Sequence, residues 1–263
     1  MPKHAKVFNG QFPGPQIEAC WGDELVITVI NNLPDQGTTV HWHGVRQLHT
    51  NDMDGVASTQ CPIPRGHRFT YRYRVTQYGT SWYHSHYRLQ YADGLAGPLT
   101  LYGPSSANYD IAIPDTFLMS DWIHDEAYHR FEEEKDPVKR GTAADNILLN
   151  GHGIPVGTIP AQGQPIRDLR SFYTTTHFIP GKRHRLRLCN GSAGTTFVFS
   201  IDGHNFTVIQ NDFVPVKPFV TNSIVVGIGQ FFVFLFSTLT PFPFVYITTS
   251  SSFITITTAT HEN

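Results

Sequence analysis

The chain has 263 residues, 19 of them Lys or Arg and 21 Asp or Glu, so that 15% are charged and the formal net charge is −2, while 40% are hydrophobic and 13% aromatic. So few charges among so many apolar residues exclude a disordered chain or a coiled coil, and the near-zero net charge gives no footprint for a nucleic-acid partner. At about 150 residues per domain, the length suits one large domain or two ordinary ones.

In chain order, Met1 to Lys6 run directly into Val7 and Phe8, with no apolar stretch of the kind a secretory signal needs. A series of short β-type runs follows. Glu24 to Ile30 (ELVITVI) stops at Asn31-Asn32-Leu33-Pro34, and Thr38 to Val45 comes next. Arg68 to Val75 alternates Phe69, Tyr71, Tyr73 and Val75 with polar residues at period 2, and Thr80 to Tyr87 and Leu99 to Tyr102 complete the set. This spacing predicts a β-sandwich of about 100 residues. The turn Gly103-Pro104-Ser105-Ser106 closes it.

A second unit begins at Asp110. Asp125 to Arg140 is the charge-dense segment and reads as a solvated loop or short helix. Strands resume at Asn146 to Leu149, Arg183 to Cys189, Thr196 to Ile201, Thr207 to Gln210 and Ser223 to Val226. The expected fold class is therefore all-β, with two Greek-key sandwiches in tandem over 1–103 and 110–230, the second incomplete. Residues 231–263 read as an aberrant tail. From Phe231 to Thr260 there is no charged residue or histidine, but there are seven Phe and eight Thr. Its longest apolar run, Phe231 to Phe236, is far too short to span a membrane, and its profile is that of an aggregation-prone strand set.

Three cysteines, Cys20, Cys61 and Cys189, are too few for a disulfide scaffold and lack zinc-site spacing, so at least one has no partner within the chain. Two sequons, Asn190-Gly-Ser and Asn205-Phe-Thr, suit a secreted protein, although Asn205 falls inside a strand pattern. No serine or cysteine sits in a nucleophile motif.

Ten of the 14 histidines are scattered singly and read as surface or hydrogen-bonded residues. The other four form two pairs, His41 and His43 in TVHWHG and His84 and His86 in SWYHSHY. On a strand, residues i and i+2 share a face, so each pair aims two imidazoles into one space, and two neighbouring strands can bring all four together. Four neutral nitrogen donors without a carboxylate or thiolate suit a borderline divalent ion. The Irving–Williams order favours copper, and zinc is the alternative. A zinc hydrolase would also need a general base, for which the sequence offers only Asp54.

These residues resemble one family. NGQFPGPQIEACWGDELVITVINNL (9–33), TVHWHGVRQLHTNDMDGVASTQCPIPRG (39–66) and QYGTSWYHSHYRLQYADGLAGPL (77–99) look like the first cupredoxin domain of a multicopper oxidase, nearest the laccases of filamentous fungi. DWIHDEA (121–127), DNILLNG (145–151), RHRLRLCNGS (183–192) and residues 199–230 are similar to that family's second domain. The resemblance implies a trinuclear copper cluster, with His41 on the type 2 ion and His43, His84 and His86 on the type 3 pair. It also implies that Asp54 stands beside the ligands and delivers protons, although from sequence it reads equally well as an Asp-Gly turn. It implies dioxygen and phenolic or aromatic amine substrates, secretion, and no nucleic-acid or membrane partner.

The departures from the family pattern matter as much. The cluster takes eight histidines, of which four are matched here. The His-Cys-His motif of the type 1 copper site does not occur, because Cys189 is followed by Asn190, and both it and the remaining ligands belong to a third domain. In the family a further strand and a secretion signal precede NGQFPGP. After Gly229-Gln230 the family continues Arg-Tyr-Asp-Val, whereas this chain continues FFVFLF, as a shifted reading frame or unspliced intron would produce. Cys61 would pair with a cysteine of the third domain, and Cys20 and Cys189 have no family counterpart. Asp145 and Asp168 are candidates for the acid that holds a phenol. The expectation is a laccase-type oxidoreductase represented by part of its chain, with a non-catalytic copper-binding module or an inactive truncated product as the alternative.

Overall fold

The computed structural model describes residues 3–138, 144–153, 174, 176–238, 244–250 and 253–259, the last two segments as backbone only. Two compact units emerge: residues 1–104 with 123–142, and residues 105–122 with 143–263. Both are built from strands.

In the first unit, β1 (Ile17–Cys20), β2 (Glu24–Ile30), β3 (His41–Trp42), β4 (Arg68–Arg74), β5 (Gly79–His84) and β6 (Ala96–Tyr102) form two sheets. One has the order β1-β6-β5-β3, and the other pairs β2 with β4. The period-2 pattern of β4 turns Tyr71 and Tyr73 inward, where they are buried and pack on Trp42 with ring centroids 5.2 and 5.5 Å apart. Rings of this size dominate core energetics because each removes 150–250 Å² from water. All six residues of β5 are buried. Within the charge-dense stretch, Ala127–Glu134 forms the helix α1. Its Ala127 N–H donates to the buried carboxylate of Asp93 at 2.8 Å, and Lys3 and Lys6 reach the same carboxylate at 3.1 and 2.8 Å.

The second unit holds β7 (Ile111–Trp122), β8 (Asn146–Leu149), β9 (Arg183–Asn190), β10 (Phe197–Ile201), β11 (Phe206–Asn211), β12 (Val214–Thr221), β13 (Ser223–Val226), β14 (Phe231–Ser237), β15 (Phe244–Ser250) and β16 (Phe253–Ala259). The sheet orders are β12-β11-β14-β9-β7-β8 and β13-β10-β16-β15. The core between them includes Phe117, Leu186, Leu188, Phe197, Phe199 and Phe234.

The sequence placed the end of the second domain at Gln230. The structure instead puts Phe231–Ser237 inside its larger sheet, between β11 and β9, with every residue from Phe231 to Ser237 in register with β9. The physical reason is that β14 is buried on both faces. Phe234 and Phe236 enter the main core while Val233 and Leu235 pack with Ile209, so an unbroken apolar run is what this position requires. The following strands pair as an antiparallel hairpin, and β16 runs parallel to β10.

Three further differences are local. The run read as Thr38 to Val45 contributes only His41–Trp42 as a strand, because Thr38 bridges to Ile63 and Gly44 turns away at φ +70°. Of the two sequons, Asn190 is buried and its amide donates to Thr195 O and Val226 O, while Asn205 is exposed, the reverse of the sequence expectation. All three cysteines are free thiols, Cys20 and Cys61 exposed and Cys189 buried. Among the described residues, no helix is long and apolar enough to cross a membrane.

Candidate metal centre

The two histidine pairs meet because β3 and β5 pair antiparallel with His41 directly opposite His84 and Trp42 opposite Tyr83. Directly opposed residues share a face, and their i+2 neighbours His43 and His86 follow them onto it. The ring centroids of His41 stand 5.7 Å from His43, 5.4 Å from His84 and 5.3 Å from His86. His84 lies 5.5 Å from His43 and 6.0 Å from His86. Within this group, ligand nitrogens of His41, His43 and His84 all lie within 4.8 Å of one another. His84 is buried, His41 and His43 are half-buried, and His86 is exposed.

Backbone carbonyls fix the tautomers. His41 Nδ1 is 2.7 Å from Asp54 O, and His84 Nδ1 is 2.9 Å from Ser85 O. A carbonyl only accepts, so both Nδ1 atoms carry the proton and both Nε2 atoms keep their lone pair. His43 Nδ1 lies 3.2 Å from His84 Nε2. The Asp54 carboxylate is farther from His41 Nδ1, at 3.4 Å, so it is the carbonyl of this residue that orients the ring. Asp54 follows a 3-10 turn at Asn51–Met53 and precedes Gly55 at φ +76°, where an added Cβ would stand 1.8 Å from Val40 O. The Asp-Gly turn and the proximity to the histidines are thus one feature. Only glycine lets this loop lie against the backbone entering His41.

Burial sets the electrostatics. Desolvation lowers His41, although the Asp54 carbonyl and charge push it back up. It pushes His43 down to about 4, with help from His41 and His86. It pushes His84 to about 3, against the opposing hydrogen bond to Ser85. These three imidazoles are neutral at pH 7 and present lone pairs rather than charge, as metal ligation requires.

Supporting residues that the motif reading passed over surround them. The Trp82 ring lies 4.1 Å from His84, and Tyr91 lies 5.2 Å from His84. Ser81 donates to the His43 carbonyl. Ser85, between the two ligating positions of SWYHSHY, is buried and donates to Gln90 Oε1 at 2.7 Å. Of the proposed substrate acids, Asp145 precedes β8 in the second unit and is half-buried, while Asp168 lies outside the described residues.

Two family models, both described as multicopper oxidase, match residues 1–106 and 115–262. The chain belongs to the multicopper oxidase family. Among curated multicopper oxidase relatives, a laccase of Arthroderma benhamiae is 50% identical over 227 residues, covering 86% of this chain and 33% of that protein. Laccase-2 of Botryotinia fuckeliana is 45% identical over 231 residues, covering 87% and 39%. The crystal structure of laccase from Botrytis aclada superposes with a TM-score of 0.81 at 36% identity, covering 98% of this chain and 49% of that one. The chain thus spans little more than a third of the length of these curated relatives.

Copper is the metal this family implies, and the donor set fits it. Two nitrogens each about 2.0 Å from one ion stand about 3 Å apart for angles between square-planar and tetrahedral. His43 Nδ1 and His84 Nε2, at 3.2 Å, already have that spacing.

Proposed function

We propose that His41, His43, His84 and His86 are this chain's contribution to a trinuclear copper centre, His41 on the type 2 ion and the other three on the type 3 pair. In the full-length protein this centre would reduce dioxygen to water with electrons taken singly from phenols or aromatic amines. The observation that carries the reading is the convergence of four imidazoles across one two-residue pairing of strands, with three of them held neutral. Bound copper supplies the one-electron chemistry, and several ions grouped together let four electrons reach dioxygen without release of partly reduced oxygen. The protein's part is to hold the imidazoles uncharged, to fix the tautomers of His41 and His84 through Asp54 and Ser85, and to shield His84 with Trp82 and Tyr91. The Asp54 carboxylate, half-buried beside His41, is placed to pass protons at the edge of the site. An extracellular location suits the exposed Asn205-Phe-Thr sequon.

For these 263 residues alone, the absence of a His-Cys-His motif from the sequence favours copper binding without turnover. Titration of the metal-free chain with copper tests both statements. The expected result is one or two bound ions, no blue absorption, no phenol oxidation, and loss of binding in a His41→Ala/His84→Ala variant. A wild-type chain that binds no copper refutes the assignment of the ligands, and sustained oxygen uptake with a phenol refutes the statement about turnover.

A further inference from the structure

We propose that Gln90 is a positioning residue for the copper ligands: its buried carboxamide clamps the segment entering His41 and His43 to the segment carrying His84 and His86, fixing the separation of the two histidine pairs. This rests on the reading of those histidines as copper ligands.

Gln90 is 2% exposed, and both ends of its side chain are fully used. Its Oε1 accepts from Thr38 Oγ1 at 2.8 Å and from Ser85 Oγ at 2.7 Å. Its Nε2 donates to Gly37 O at 2.9 Å and to Gln36 Oε1 at 3.2 Å. A carboxamide has two acceptor sites and two donor hydrogens, and all four are occupied here. Gln36, Gly37 and Thr38 lead directly into β3, and Ser85 lies between His84 and His86 and presents its carbonyl to His84 Nδ1. One side chain therefore ties both arms of the site together.

The clamp adds to a short strand ladder, beyond which His43 N–H donates to Trp82 O at 3.1 Å and Ser81 donates to the His43 carbonyl. Only His41 with His84 and Trp42 with Tyr83 pair between β3 and β5. A longer ladder would fix register by itself, and a slip of one residue would carry a histidine to the opposite face. Packing alone does not call for an amide at position 90. A leucine of similar size would take the amide acceptor from the Thr38 and Ser85 hydroxyls, leaving them each other at 3.4 Å, and the amide donor from the Gly37 carbonyl, which loosens the tie between the two segments.

The test uses the whole metal-free chain in four forms: wild type, Gln90→Leu, Thr38→Val, and Leu25→Ala on the other sheet as a destabilised control. Histidine tautomers are read by long-range 1H–15N NMR without metal, and copper(II) affinity is read by titration calorimetry. For Gln90→Leu the expected result is copper affinity reduced about 10–100-fold, together with loss of the single Nδ1–H tautomer of His84. Thr38→Val, which removes one hydroxyl from the clamp, weakens copper about threefold to tenfold. Leu25→Ala lowers the melting temperature without moving either readout. Wild-type tautomers and affinity in a folded Gln90→Leu chain overturn the proposal. If that variant does not fold, unchanged readouts in Thr38→Val overturn it instead. A wild-type chain that binds no copper counts against the ligand assignment, whereas the tautomer readout still decides the role of Gln90.

Discussion

Gly55→Ala is the sharpest perturbation of the site that leaves every histidine in place. An added Cβ would meet Val40 O at 1.8 Å, Val40 C at 2.4 Å and His41 N at 2.8 Å, all backbone atoms that cannot rotate aside. To reach an ordinary carbon–oxygen contact, the loop must retreat from β3 by about 1.5 Å. That movement breaks the 2.7 Å hydrogen bond from His41 Nδ1 to Asp54 O. The left-handed conformation costs an alanine about 1–2 kcal/mol, and the lost hydrogen bond adds about 1 kcal/mol. For a unit of this size the two together lower Tm by about 10 °C. Gly66→Ala is the control, because Gly66 has nearly the same φ, +74°, with nothing within 4 Å of an added Cβ. The assay is a pair of thermal melts followed by copper titration. Because Gly66→Ala pays the same backbone cost, Gly55→Ala should melt below it by the effect of the lost hydrogen bond, about 4 °C, and bind copper about 10–100-fold more weakly. Equal melting points and equal copper affinity for the two variants would refute the reasoning.

Two other expectations follow from burial. His43 and His84 have folded-state values of about 4 and about 3 against 6.5, so the unfolded chain takes up these protons first. Metal-free stability is therefore full above about pH 6.5 and falls as the pH drops toward 4, by about 3 kcal/mol for the shift at His43. Melts of wild type and His43→Gln between pH 7 and 4 check the sign: the variant should lose less, and parallel profiles would contradict it. Phe234→Ala removes a fully buried ring that lies 4.8 Å from Phe206 and 5.2 Å from Phe199, at a cost of about 3–5 kcal/mol. Denaturant unfolding measures this, and a neutral effect would mean that residues from Phe231 onward lie outside the folded sheet.

What could be read in advance depended on local periodicity. Arg68 to Val75 alternates cleanly and forms a strand over Arg68–Arg74, and two His-X-His pairs need only period 2 to share a face. Strands without that signal were missed. β7 contains Pro114 and a register shift between Ala112 and Thr116, and β12 carries Pro215 and Pro218, which its place at a sheet edge tolerates. β1 is four residues long and pairs in parallel with a strand far along the chain. At the site, the histidines were legible but their supports were not. Gln90 and Ser85 act through contacts across the fold that no spacing rule encodes, and the Asp54 carbonyl matters through backbone geometry rather than through residue type.

The central position of β14 also bears on how the second unit is made. Within its larger sheet, β11 and β9 are joined only through β14, which pairs with both. On a ribosome adding about 5–20 residues per second, the interval between completion of β11 at Asn211 and of β14 at Ser237 is about 1–5 s. For that time β9 and β11 each present an open edge, and the core rings Phe199 and Phe206 lack their cover from Phe234. The nascent chain is therefore most prone to association in the seconds before its least polar segment arrives, and that segment is what ends the exposure.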